Sequence, residues 1–132
     1  MRTLEQDRAS LAHDHVSEFE PQSAPAKKYG TMVHKMPSLL MSAGLCQSIH
    51  YVASRGDDHQ KRLLDHLATQ LQRVDGGIGD RETLLDRVRQ AELPLYLRLT
   101  HEALACASWY RRMVQGVLKV EPGEEGEEEQ PE

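Results

Sequence analysis

The chain has 132 residues with 16 Lys+Arg against 21 Asp+Glu, a length that suits one domain and argues against two. The last twelve residues, EPGEEGEEEQPE, hold seven Glu and no base. Removing those seven leaves 14 acids against 16 bases in residues 1–120, a formal +2, so the overall acidity belongs to the tail and the body can face a polyanion. The N-terminus, MRTLEQDRAS, has no apolar leader, and no apolar run is long or uninterrupted enough to span a bilayer, so a cytoplasmic protein with no membrane partner is expected.

Strand patterns are almost absent, and helices dominate the reading. Thr3–Glu20 carries Leu4, Leu11, Ala12, Val16 and Phe19 at roughly helical spacing, followed by a polar loop from Pro21 to Pro25. A second helix starts near Pro25, where proline fits the first turn, and runs toward Met36. Pro37 is expected to kink or divide it, because its ring removes a backbone donor. From Leu39 to Ala53 apolar residues fall on every side of the helical wheel, so this run is expected at the centre of a bundle, introduced by Lys27, Lys28 and Lys35 and closed by Arg55.

Asp57 or Asp58 is placed to cap the next helix, whose stripe is Leu63, Leu64, Leu67, Leu71 and Val74. Asp75-Gly-Gly-Ile-Gly79 ends it. Asp80 caps a short helix with Leu84, Leu85 and Val88 inward and Arg81, Asp86, Arg87 and Arg89 in water. A long last helix begins near Leu93-Pro94 and ends near Lys119, with Thr100 marking either a bend or a restarted cap. The fold class is therefore all-α, a compact bundle of about five or six helices forming a single domain over 1–119. Residues 120–132 form an acidic tail with nothing apolar to bury, expected to be disordered. It acts as a solubilising segment or as an acidic arm competing with nucleic acid for the basic face.

No arrangement organises catalysis. His13 and His15 point to different sides of a helix, and His59 and His66 lie too far apart to share an ion, so no metal is expected. His13-Asp14 resembles one element of a metal-dependent phosphohydrolase site, but it stands alone, and His101-Glu102 lacks the second histidine of a zinc protease. No GxSxG turn or phosphate loop is present, and Gly76-Gly-Ile-Gly79 follows a helix. Cys46 and Cys106 sit in apolar patterns without CxxC spacing and are expected to be buried thiols. Arg111 and Arg112 follow Trp109 and Tyr110, so either an aromatic surface borders two guanidinium groups able to bind phosphate, or the rings fill the core and the arginines are solvated. Lys28 and Lys35, two turns apart, can line one helix side; Arg8, Lys61 and Arg62 extend the basic inventory.

These residues resemble the small subunit of the type III-B CRISPR RNA-silencing (Cmr) complex over about residues 4–119. The matching segments are Arg8-Ala9, Lys28-Tyr29, Pro37, Gly44-Leu45-Cys46-Gln47, Tyr96-Leu-Arg-Leu-Thr100, Glu102-Ala103-Leu104 and Trp109-Tyr110-Arg111-Arg112. The resemblance implies a non-catalytic building block of an antiviral ribonucleoprotein, without cofactor. Further copies of it would stack beside the backbone subunits, with large subunits, guide RNA and target RNA as the other partners. On that basis Lys27, Lys28, Lys35, Arg55, Arg111 and Arg112 are expected to contact RNA phosphates, with Arg8, Lys61 and Arg62 as possible additions. The alternative is a stand-alone helical adaptor binding a protein partner through an exposed apolar groove, motivated by the surplus of apolar positions in Leu39–Ala53.

Overall fold

Four side-chain caps set the helix starts in the computed structural model, which describes residues 1–123. Thr3 and Gln6, Asp57 and Gln60, and Asp80 and Thr83 form reciprocal capping boxes, while Ser23 accepts from the Ala26 N–H. The elements are α1 Leu4–Val16, α2 Ala24–Ala43, α3 Leu45–Arg55, α4 Asp58–Leu71, α5 Arg81–Gln90 and α6 Leu93–Met113, which continues into a π-helical turn Val114–Leu118. No strand occurs among the described residues. The tail expected to be disordered lies, from residue 124, outside the described residues.

The helix break falls one motif later than the sequence suggests. Helix α2 runs unbroken through Pro37, held on both sides by buried Met36 and Leu40. The chain turns instead at Gly44, whose φ of 86° lies in the region open to glycine. Gly44 leaves the first N–H groups of α3 without helical partners, and the Tyr96 hydroxyl of α6 accepts that of Cys46 at 3.0 Å. Tyr96→Phe is expected to lower stability by about 1 kcal/mol through loss of this bond, read as a lower urea midpoint at unchanged slope.

The bundle centre also shifts toward the N-terminal side. Helix α2 packs against α3, α4, α6 and the π-helical turn, and its buried positions run from Ala26 to Leu40. In the segment Leu39–Ala53, by contrast, Met41 is 74% exposed, and Leu39, Cys46, Tyr51 and Ala53 are only partly buried. Cys46 is therefore a half-buried thiol and not a core residue; Cys106 is buried, as expected. Helix α1 lies along α6, while α5 covers α3 and α4.

The packed core continues past Lys119 to Val120. Lys119 takes a left-handed conformation after the π-helical turn, and the Val120 N–H returns to the Val114 carbonyl at 3.2 Å. Val120 is fully buried, so a residue assigned to the tail on composition belongs to the core. Thr100 interrupts nothing: within a continuous α6 its hydroxyl donates to the Tyr96 carbonyl at 2.9 Å.

Candidate nucleic-acid interface

The cations expected to meet phosphates divide by burial. Lys35, Arg55, Arg62, Arg111 and Arg112 are exposed, Lys27, Lys28 and Lys61 are half-buried, and Arg8 is buried. Lys28 Nζ lies 3.4 Å from Asp57, which ties α2 to the turn between α3 and α4, two residues beyond Arg55. The Arg55 guanidinium sits 5.9 Å from the centre of the Tyr51 ring, one helical turn earlier. Lys35 follows Lys28 by two turns, about 10 Å along the axis. It follows His34 and precedes the buried Met36, which lines one small apolar gap with Leu63 and Leu67 of α4 and Ala107 and Tyr110 of α6. Lys35, Arg111 and Arg112 are committed to no ion pair among the described residues. Arg62 donates to Glu18 at 2.9 Å.

Arg8 is removed from any phosphate-facing surface. Its Nε and Nη2 donate to the two oxygens of Glu102 at 2.8 and 2.7 Å, and Nη1 donates to Glu5 at 2.8 Å. Arg73 adds a bond to Glu102 at 2.8 Å. The carboxylate is 5% exposed; hydrogen bonding from Arg8 holds its pKa below the usual carboxylate range despite burial. Nearby, Cys106 is pushed up to about 12 by burial and by Glu102, so it stays a thiol. Sequence reading missed Glu102 as a structural centre; the visible signal is its place among Leu99, Ala103 and Cys106 on the buried stripe of α6.

Arg87 and Arg81 keep the solvent contact expected of them and also pair with carboxylates. Arg87, expected in water, grips the nearly buried Asp75 with two bonds at 2.9 and 2.8 Å, while Asp75 also accepts the Gly77 N–H. This fixes the Gly-rich turn against α5. Arg81 likewise pairs with Asp65 at 3.1 Å. Tyr110 is 1% exposed and forms no stacking platform; the half-buried Trp109 donates its indole N–H to Glu5 at 2.6 Å.

The histidines converge where spacing gave no hint of it. His15 and His66 stack with centroids 4.0 Å apart. His66 Nε2 faces Glu18 at 3.2 Å and its Nδ1 faces the Tyr29 hydroxyl at 2.7 Å, while His15 Nδ1 meets the Tyr110 hydroxyl at 2.7 Å. Since a carboxylate only accepts, Nε2 carries the His66 proton and Tyr29 donates to Nδ1. His13 lies 3.6 Å from Asp14 on the surface. Among the described residues no three His, Cys, Asp or Glu side chains are placed to hold a metal ion, and no helix is long and apolar enough to cross a membrane.

These features define an all-helical module with charge-locked internal joints and an exposed set of cations on neighbouring helices. The family model described as CRISPR-associated protein (Cas_Cmr5) matches residues 4–117. A curated relative from Thermus thermophilus, the CRISPR system Cmr subunit Cmr5, is 38% identical over 119 residues, covering 90% of this chain and 99% of the relative. The crystal structure of a CRISPR-associated Cmr5 family protein from the same organism superposes with a TM-score of 0.78 at 38% identity, covering 89% of this chain and 99% of that one. The chain belongs to the CRISPR-associated Cmr5 family, as its resemblance to the Cmr small subunit implied.

Proposed function

We propose that this chain is a non-catalytic small subunit of a type III-B CRISPR effector ribonucleoprotein. It stacks with further copies of itself beside the backbone subunits and meets guide–target RNA through phosphates. The observation that supports this reading is the set of exposed cations Lys35, Arg111 and Arg112 on the neighbouring helices α2 and α6, in no ion pair among the described residues, in a chain matched to the family over nearly its whole body. Lys27, Lys28 and Arg55 extend the strip. Lys61 and Arg62 are lesser contributors, since Arg62 is paired with Glu18. Contacts of this kind position a phosphate backbone without reading bases, which suits a complex whose sequence choice rests on base pairing.

In an assembled complex, Lys35→Glu with Arg111→Glu is expected to weaken target-RNA retention about tenfold for every sequence tested. The slope of log affinity against log salt should fall by roughly two. Unchanged retention by a complex of normal size on gel filtration rejects the phosphate contacts.

A second reading, a stand-alone adaptor, finds some support in exposed Leu4, Leu93 and Leu97, of which Leu4 and Leu97 line a groove between α1 and α6. Light scattering with and without RNA separates the two. A tight dimer indifferent to RNA favours the adaptor.

A further inference from the structure

Building on the reading that the lysine face of α2 meets phosphates, we infer that the chain's own acidic tail, residues 124–132, docks on that face and competes with RNA for it. The point at which the tail leaves the core carries the inference. A Cβ placed on Gly30 would lie 2.8 Å from Val120 Cγ1, so the buried end of the body rests directly on the middle of α2. His34 Nε2 donates to the Val120 carbonyl at 2.9 Å, and Gln22, ahead of α2, donates to the Lys119 carbonyl at 3.0 Å. The chain therefore departs at the level of Gly30 and His34.

Three lysines surround that exit on the same helix. Lys27 lies one turn before Gly30 on the same side, Lys35 follows His34, and Lys28 stands two turns before Lys35. From Lys27 to Lys35 the helix rises only about 12 Å. Nine residues of chain reach about 30 Å when extended, so all three ammonium groups are within range. The segment supplies six glutamates and no cation. Lys28 is held by Asp57 only in a pair about 40% exposed at each partner, which exchanges readily because such pairs contribute little.

Each tail contact is weak in water, but tethering raises the effective concentration of the carboxylates to roughly the millimolar range. The cover is thus salt-sensitive. A polyphosphate, with charge spaced along its whole length, displaces it.

Zero-length carbodiimide coupling of the full chain, with mixed light and heavy isotope labels, tests the docking without RNA. Amide links from Glu124–Glu132 to Lys27, Lys28 or Lys35 within one chain are expected, falling several-fold in about 0.5 M salt. Links confined to Lys61 or Lys119, links only between chains, or none overturn the inference. With every glutamate of 124–132 changed to glutamine, affinity for a single-stranded RNA oligonucleotide should rise about three- to tenfold at low salt, the gain vanishing at high salt. Links to the lysines with no such gain overturn the competition. If the links form but Lys35→Glu leaves RNA retention unchanged, docking stands and the phosphate reading of the strip fails.

Discussion

Replacing Glu102 with alanine is expected to cost about 3–5 kcal/mol, because Arg8, 7% exposed, would remain charged in the core without its bidentate partner. The double change Arg8→Met with Glu102→Leu should recover most of that loss, since an apolar pair of similar volume removes both charges from the interior. Arg73, 27% exposed at its side chain, can turn toward water when its partner is gone. Urea unfolding of the two variants beside the parent measures the effect, and near-equal losses in the single and double mutants would reject the lock. RNA retention per folded molecule should be unchanged in the double mutant. That outcome separates an internal joint from a phosphate contact at Arg8.

Acid should destabilise the fold through the paired histidines before most carboxylates titrate. Burial, then the neighbouring His15, lowers His66 to about 4, against an ordinary value near 6.5. The unfolded chain therefore takes up a proton as pH falls below about 6.5, whereas the folded chain resists until about 4. Stability is present above that window and falls across it, by about 3 kcal/mol if His66 acts alone.

The groups facing His66 make the sign clear. His15 of α1, also lowered by burial, opposes a second charge at a 4.0 Å stacking distance. Glu18 attracts a proton to the ring, which Arg62 on the same helix as His66 offsets only in part, so burial and His15 carry the net lowering. Tyr29 of α2 donates to Nδ1, so protonation there ends that donation and requires the hydroxyl to turn and accept. Tyr110 of α6 stacks at 6.2 Å and is kept neutral by burial. Unfolding midpoints between pH 8 and 4 should fall along this window. His66→Gln, though less stable at neutral pH, should show roughly half the slope. An equal slope in the variant would assign the acid loss to the carboxylates.

The segments that carried the family resemblance turn out to be joints between helices. Arg8 meets Glu102, Tyr29 meets His66, and the Gly44 turn meets Tyr96 through the Cys46 N–H. Each pair links residues far apart in the chain. Of the arginines in the signature elements, Arg98, Arg111 and Arg112 are exposed and in no ion pair among the described residues. Residues that carry the resemblance therefore report how the bundle is held together, and the phosphate contacts proposed above rest on cations outside those joints.

Sequence alone determined the all-helical class, the capped starts at Asp57 and Asp80 and most of the inward stripes, because capping chemistry and apolar periodicity are local properties of a helix. It also showed that the negative charge is concentrated at the C-terminus. Which break divides the second and third helices was not legible: a proline can be carried through when its neighbours pack on both sides, whereas Gly44 adopts a backbone geometry open chiefly to glycine. Nor could charge counting separate Arg8, Arg81 and Arg87 from Lys35 and Arg111. Whether a guanidinium is locked or exposed depends on which carboxylate the fold delivers to it, and Glu102 arrives beside Arg8 from 94 residues away. The stacking of His15 on His66 likewise exists only once α1 and α4 meet, since burial and the approach of another ring, and not position along the chain, lower a histidine's affinity for its proton.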